Sequence, residues 1–479
     1  MNTSAIDKAI ISAMRAWKTP GVAVAIVEGN EEYIQGYGVK EVGTTASITP
    51  NTLFAIASMT KAFTATAMAI LVDEGKMAWD DHPRKYLPYF RLSDPVADAN
   101  VTMRDLLSHR TGMSRHDALW CVGERSAEEI VKRYGLAPPS TSFRSTYEYA
   151  NVPFTAAGLA IGAAAGTTWS KFVEERIFKP LGMNAVCRVS ETEASSDHSH
   201  GHVPYRGKIV VYPTPEHDNS TAAGAINASA NDMSKWIRFH LNDGVFEGEQ
   251  IVSKRNLDET KKPHMVVPVE NPDKYGFDLG TNLSTYCLGW SKEEYRGEII
   301  VTHGGWLRGF TGNVTLIPKR KAGIAVLTNL AVAGEAISIR NLLLDILLSL
   351  PKRNWPSIYK KINTLTKKEA KEQKAKEVRH KRTKPSRELE AYVGDYEDSA
   401  YGTLTVYLEG GALHAKYGAA DYKLKHFHFD TFTGRHERPE IWEDIKVMFA
   451  LGPDGEVASI KTLADWFSVE FKKVKREAS

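Results

Sequence analysis

The chain is poor in cysteine. Cys121, Cys187 and Cys287 are the only three in 479 residues, widely separated and odd in number. That pattern excludes a disulfide framework and any zinc-ligand spacing, and it suggests a reducing compartment. Long apolar runs are missing as well. Nothing approaches about 18 uninterrupted apolar residues. The opening MNTSAIDKAIISAMRAWKTPGVAVAIVEGN has no basic segment leading into a continuous apolar one, so neither a membrane helix nor a signal peptide is expected. Charge of one sign is also scarce. The 61 Lys and Arg against 58 Asp and Glu leave +3, too little for a dedicated nucleic-acid or anionic-membrane surface. A cytoplasmic globular protein is expected, and the 42% hydrophobic and 25% charged residues agree with that class.

At 479 residues the chain exceeds what one core serves, so two folded units are expected. Residues 5–17 read as a helix. GVAVAIVEGNEEYIQGYG follows as two strands turning at Gly29-Asn30. Helical patterns then dominate to about 240, at 58–74, 102–108, 126–134, 153–165, 168–179 and 230–241. Strand patterns return near 285–291, 298–303, 311–317 and 323–329, and GEAISIRNLLLDILLSL closes the region as an apolar helix. Strands and a helix at both ends, with helices between, predict an α/β fold. One antiparallel sheet would be covered by terminal helices, with a mainly helical subdomain beside it and a cleft between them. This first unit spans residues 1–350. Lysine-rich residues 351–387 read as a basic linker, a solvated helix or spacer. In 388–479, short alternating segments broken by glycine predict a small all-β domain.

Within this frame, FAIASMTKAFTATAMAILVDEGK sets Ser58 and Lys61 three apart at the start of a helix, with Phe63, Ala67, Ile70 and Leu71 on one face and Gly75 as a stop. Three residues along a helix is one face, so the Lys61 ammonium can reach the Ser58 hydroxyl near the positive end of the helix dipole. The spacing by itself is weak, expected about twice by accident when each residue type makes up roughly 6% of a chain this long. It recurs at Ser349/Lys352, beside the helix-breaking Pro351, and at Ser357/Lys360 in the linker, where no pocket is expected. Context separates Ser58 from these two. STYEYANVPF carries Tyr149-Ala150-Asn151, and VTHGGWLRGFTG carries His303-Gly304-Gly305 at the end of a strand.

Taken in the order Ser-x-x-Lys, Tyr-x-Asn, His-x-Gly, these residues resemble the serine beta-lactamase and penicillin-binding-protein superfamily. The likeness is to class C beta-lactamases, family VIII carboxylesterases and D-aminopeptidases in particular. It covers roughly residues 5–350, with LLSHRTGM, FVEERIFKPLGM, AAGAINASANDMSKW and YCLGW as further landmarks. The C-terminal module is similar to small lipocalin-like barrels appended to some peptidase relatives. There such barrels cap the cleft or mediate assembly, which admits a homo-oligomer here.

The resemblance implies Ser58 as the nucleophile of an acyl-enzyme, with Lys61 and Tyr149 sharing the removal of its proton. A tyrosine base needs neighbouring cations to bring its pKa down, and Lys61 and His303 are the candidates. Asn151 would orient the substrate or Lys61. The backbone N–H groups of Ser58 and Trp306 would hold the oxyanion, and Gly304 and Gly305 would let the strand edge approach the substrate. His303 departs from the lysine that many penicillin-recognising relatives carry, which argues against efficient beta-lactam hydrolysis and for a small ester, amide or short peptide. Arg308 is an alternative carboxylate contact, and Phe54, Trp120, Tyr147 and Trp306 are candidate pocket aromatics. His198, His200 and His202 alternate in SDHSHGH, yet a flexible loop is the better reading. No metal or other cofactor is expected. An acyltransferase, a beta-lactamase and a non-catalytic scaffold are the alternatives.

Overall fold

The computed structural model describes residues 1–122, 125–213, 218–269, 277–437, 444–464 and 467–474. Within the expected all-β tail, 438–443, Asp465, Trp466 and 475–479 lie outside these residues.

The run GVAVAIVE forms the strand Gly21–Glu28, buried on both faces except at Glu28. Strand alternation sends Val22, Val24 and Ile26 one way, against Ile6, Ile10 and Ala13 of the helix Thr3–Trp17 and Ile339 and Leu343 of the helix Glu335–Leu347. Ala23, Ala25 and Val27 face the opposite core, shared with Trp236 and Ile237 of the helix Ala230–Leu241. A strand covered twice has no polar face, which is why its sequence is a continuous apolar run.

This strand is second in an eight-stranded antiparallel sheet. The order is Glu31–Gly38, Gly21–Glu28, Ala322–Thr328, Phe310–Ile317, Glu298–Leu307, Ser291–Tyr295, Thr281–Tyr286 and Met265–Val266. Gly29 makes the expected hairpin turn with a positive φ of 58°. The strand expected near 285–291 is corrected. Those residues span the end of one strand and the start of the next, and the apolar stretch Cys287–Trp290 is the turn, closed by the Cys287 N–H donating to the Trp290 carbonyl at 2.7 Å.

Between the sheet's halves the chain is mainly helical. One β-hairpin, Gly201–Tyr205 with Lys208–Tyr212, interrupts the stretch expected to be helical. The helix Thr60–Asp73 is buried at every position from Thr60 to Leu71, not on one face as its spacing suggested. A helix covered on all sides is a core element, and the Phe63 ring stacks on Trp236 at 3.7 Å inside it.

The expected linker holds a helix, Trp355–Lys376. Trp355 at its start is fully buried and its indole donates to Asp345 Oδ2 at 2.8 Å, so the first turn is packed into the core under the sheet. Beyond it eight strands, from Gly394–Asp398 to Glu470–Lys473, close into an antiparallel barrel. Alternate residues such as Tyr396, Leu404, Val406, Leu413 and Phe449 fill its interior, as an eight-stranded barrel requires. Among the described residues no helix is long and apolar enough to cross a membrane.

Candidate active site

The Ser58 turn lies where helix and sheet meet. Ala57–Met59 is a 3₁₀ turn running directly into the helix Thr60–Asp73, so Ser58 precedes the α-helix and does not sit on its first turn. Ala57 has φ of 48°, a left-handed conformation that costs a non-glycine residue of the order of 1–3 kcal/mol. No feature of its sequence announces that strain. The turn packs against the strand Glu298–Leu307. Its neighbour Ser291–Tyr295 pairs only as far as Thr302, so 303–307 bond to Phe310–Ile317 on one side and, among the described residues, have no strand partner on the other.

Lys61 is fully buried. Its Nζ contacts three acceptors: Ser58 Oγ at 3.0 Å, Asn151 Oδ1 at 2.9 Å and the Ala223 carbonyl at 2.8 Å. Burial, and after it the charge of Arg115, hold its pKa well below the usual lysine range. The Tyr149 hydroxyl donates to Ser58 Oγ at 2.8 Å, and its ring lies 5.0 Å from Lys61 Nζ. Burial pushes the Tyr149 pKa up to about 12. The four residues Ser58, Lys61, Tyr149 and Asn151 therefore converge, although 90 residues separate Lys61 from Asn151.

His303 behaves differently from the expectation that it could supply a cation. It is 6% exposed, and burial drives its pKa down to about 3. A ring nitrogen facing a carbonyl must donate, so Nδ1–H bonds the Gly304 carbonyl at 2.7 Å and Nε2 accepts from the Tyr286 hydroxyl at 2.9 Å. The ring is neutral and has both nitrogens engaged. Its glycine neighbours also divide their work. A Cβ at Gly304 would make only an ordinary contact with the Gly312 carbonyl, whereas Gly305 is pressed against the Ile56 carbonyl of the Ser58 turn, so its close approach is to the protein's own backbone.

Trp306 (56% exposed) and Trp120 line a cleft with Ser58, Asn151, Ala223 and Leu307, of about 40 Å³. The other two candidate aromatics do not line it. Phe54 is in the core, edge-on to Phe310 at 6.5 Å, and Tyr147 packs on His109 and Tyr286. Arg308 occupies the turn after Leu307, within electrostatic reach of Cys121. The SDHSHGH segment is no loose loop. His198 bridges to Leu53, and His202 is buried, accepting from the Val42 N–H at Nε2 and donating from Nδ1 to the Asn329 carbonyl. Among the described residues there is no cluster of three or more His, Cys, Asp or Glu able to hold a metal.

Two contributors were not among the candidate site residues. His109, in the LLSHRTGM stretch, accepts from the Ala150 N–H at 3.2 Å and tilts against the Tyr149 ring at 4.2 Å, fixing the backbone between Tyr149 and Asn151. Asp117 accepts from Asn151 Nδ2 at 3.3 Å. Nothing in its local sequence marks it.

An eight-stranded antiparallel sheet beside a helical subdomain, with serine, lysine and tyrosine converging at their junction, is the beta-lactamase/transpeptidase-like architecture. The chain belongs to the beta-lactamase family, whose model matches residues 6–347. Residues 378–477 match a domain of unknown function, DUF3471. An unguisins hydrolase of Aspergillus violaceofuscus is 26% identical over 94% of this chain and 86% of its own length. Protein flp of Staphylococcus aureus is 26% identical over 68% of this chain and 62% of its own. Among solved structures, the octameric penicillin-binding protein homologue from Pyrococcus abyssi superposes over 98% of this chain and 100% of that one, with a TM-score of 0.64 at 22% identity. That likeness concerns the fold.

Proposed function

We propose that the chain is a serine hydrolase that opens a small ester, amide or short peptide through an acyl-enzyme on Ser58. The observation that carries this is the pair of hydrogen bonds meeting at Ser58 Oγ, 3.0 Å from Lys61 Nζ and 2.8 Å from the Tyr149 hydroxyl. A neutral lysine has two N–H groups and one lone pair. With Asn151 Oδ1 and the Ala223 carbonyl taking the two N–H groups, the lone pair faces Ser58 and can accept its proton. Tyr149 meanwhile keeps its own proton, with a pKa of about 12, and donates to Ser58 Oγ. Lys61 is thus the base of acylation, and Tyr149 the acid that protonates the departing group. Water then attacks the acyl carbon, the same proton relay runs in reverse, and Ser58 is released.

The oxyanion is assigned to the N–H groups of Ser58 and Trp306. Counted from the hairpin turn at Arg308-Gly309, antiparallel alternation turns Leu307, Gly305 and His303 toward Phe310–Ile317 and leaves Trp306 N–H on the opposite side. Trp120, Trp306 and Leu307 give the cleft beside Ser58 an apolar wall, which suits an acyl group with an apolar face. The neutral His303 offers no charge to a beta-lactam carboxylate, which disfavours the beta-lactamase reading. The hydrolase name of the fungal relative, aligned over 94% of this chain, supports hydrolysis over a scaffold role.

The test is intact mass after exposure to a fluorophosphonate and, separately, to p-nitrophenyl acetate, beside Ser58→Ala. A single adduct that needs Ser58 is expected. An unlabelled, folded wild type would remove the proposal. An acyltransferase would share each step to the acyl-enzyme, so product analysis with an added alcohol or amine separates the two.

A further inference from the structure

The loop leading to Trp120 joins the active site to the barrel. On the catalytic side Asp117 Oδ1 accepts from Asn151 Nδ2 at 3.3 Å and from the Trp120 indole at 2.8 Å, and Oδ2 accepts from Arg115 Nε at 2.7 Å. A carboxylate only accepts, so it draws the NH₂ end of Asn151 and leaves Oδ1 turned to Lys61. With the amide reversed, Lys61 would face another donor. The guanidinium of Arg115, tethered to the same carboxylate, sits 5.2 Å from the Tyr149 ring.

The barrel grips the other side of this loop. His116 is held at φ of 44°, a strained conformation for a residue with a Cβ. Its Nε2 faces the Pro138 carbonyl at 3.1 Å and must carry the proton, so Nδ1 accepts from the hydroxyl of the barrel residue Tyr401 at 2.7 Å. Tyr401 is 5% exposed. Around it Arg125 donates to the Tyr401 carbonyl at 2.6 Å and to the Tyr417 hydroxyl at 3.1 Å, while the Ala419 N–H donates to the Val122 carbonyl at 2.6 Å.

We propose that Asp117 is a positioning residue for acylation, fixing which end of Asn151 meets Lys61, and that Tyr401 of the barrel holds Asp117 in register by clamping His116. On this assignment the C-terminal barrel completes the active site by contact with one of its loops. The inference rests on the Ser58 acyl-enzyme reading.

The experiment measures the second-order rate of Ser58 labelling by a fluorophosphonate across pH, by intact mass, on the full chain. Asp117→Ala and Asp117→Asn should slow labelling on the order of 10- to 100-fold, as misplacing a catalytic group does. They should also move the acid limb of the profile to lower pH, because the Asp117 charge raises the Lys61 pKa in the wild type. Tyr401→Phe, which removes one hydroxyl and is the milder change, should slow labelling about 2- to 10-fold, the measure of one hydrogen bond. In the Asp117→Ala background it should add nothing further. Tyr407→Phe, whose hydroxyl bonds Asp421 elsewhere on the barrel, should label at the wild-type rate. Wild-type rate and pH limb in folded Asp117→Ala would overturn the positioning role. Full additivity of Tyr401→Phe with Asp117→Ala would overturn the link to the barrel. A wild type that takes no label at Ser58 would instead overturn the acyl-enzyme reading and this inference with it.

Discussion

A Cβ added to Gly305 would stand 2.2 Å from the Ile56 carbonyl oxygen, while one added to Gly304, the adjacent residue, would meet nothing nearer than 3.9 Å. Gly305→Ala must therefore push the strand off the Ser58 turn. We expect a stability loss of about 1–3 kcal/mol, as for overpacking, together with slower acylation. Gly304→Ala should change stability by less than about 0.5 kcal/mol. Denaturant melts of both variants check the contrast, and equal losses would mean that the close approach to Ile56 is unimportant.

Lys61 can serve as base only by shedding its proton. Arginine at this position would keep the charge but not deprotonate, so Lys61→Arg should lose about 10²–10⁴ in acylation rate, the usual worth of a general base. In the wild type the rate should rise with pH along a limb lying well below the range of free lysine, and fall again as Tyr149 ionises near 12. A rate independent of pH below that fall would count against Lys61 as the base.

Acid should destabilise the fold through buried histidines. His303, at about 3 in the folded chain against 6.5 ordinarily, stays unprotonated where the unfolded chain binds a proton. Its folded pKa is the lower one, so stability is fully present above 6.5 and declines as pH falls toward 3, at about 1.4 kcal/mol per pH unit. His109 and His240, also lowered well below the histidine range by burial, act in the same direction. His303→Gln should flatten the decline measured by guanidinium unfolding between pH 6.5 and 4, and an unchanged slope would refute the assignment.

Glu335 carries the opposite sign. It is fully buried, accepts from Thr19, Thr311 and Thr328, and has its pKa raised by burial from 4.5 to about 8. The folded chain holds the proton longer, so the contribution is complete below 4.5 and is lost as pH rises through about 8. Glu335→Gln has the same shape and no proton to lose, and its thermal stability should vary less between pH 5 and 8 than the wild type's. A variant that melts with the wild-type pH dependence would exclude Glu335 as its source.

How much could be read beforehand follows from how local each signal is. The Ser58/Lys61 pair stood out from its two repeats only through context, since the spacing alone is weak and Ser58 lies in the 3₁₀ turn before the helix, whereas the hairpin at Gly29-Asn30 was legible because a turn is a local event. Tyr149 and Asn151 were found through their order in a family pattern, since nothing near them encodes an approach to a residue about 90 positions earlier. Asp117 acts through one hydrogen bond across the cleft and leaves no periodicity. Burial misled in the other direction. His303 reads as a cation until its environment is known, and Trp355 reads as part of a charged spacer because the lysines around it outnumber it. The hairpin Gly201–Tyr212 carries Pro204 and a charged turn, which blur its alternation. Barrel closure pairs Gly394–Asp398 with Glu470–Lys473, a contact between the two ends of the module that no window of sequence contains.

The strand Gly21–Glu28 pairs along its length with Ala322–Thr328. A ribosome adding 5–20 residues per second needs roughly 15–60 s to deliver the second after the first. Throughout that interval the nascent chain carries GVAVAIVE, a ready-made sticky segment, with only Glu31–Gly38 available to cover one of its edges. Production of this protein should therefore depend on chaperone capacity more than its folded stability would suggest, and slowing translation upstream of residue 322 should increase aggregation.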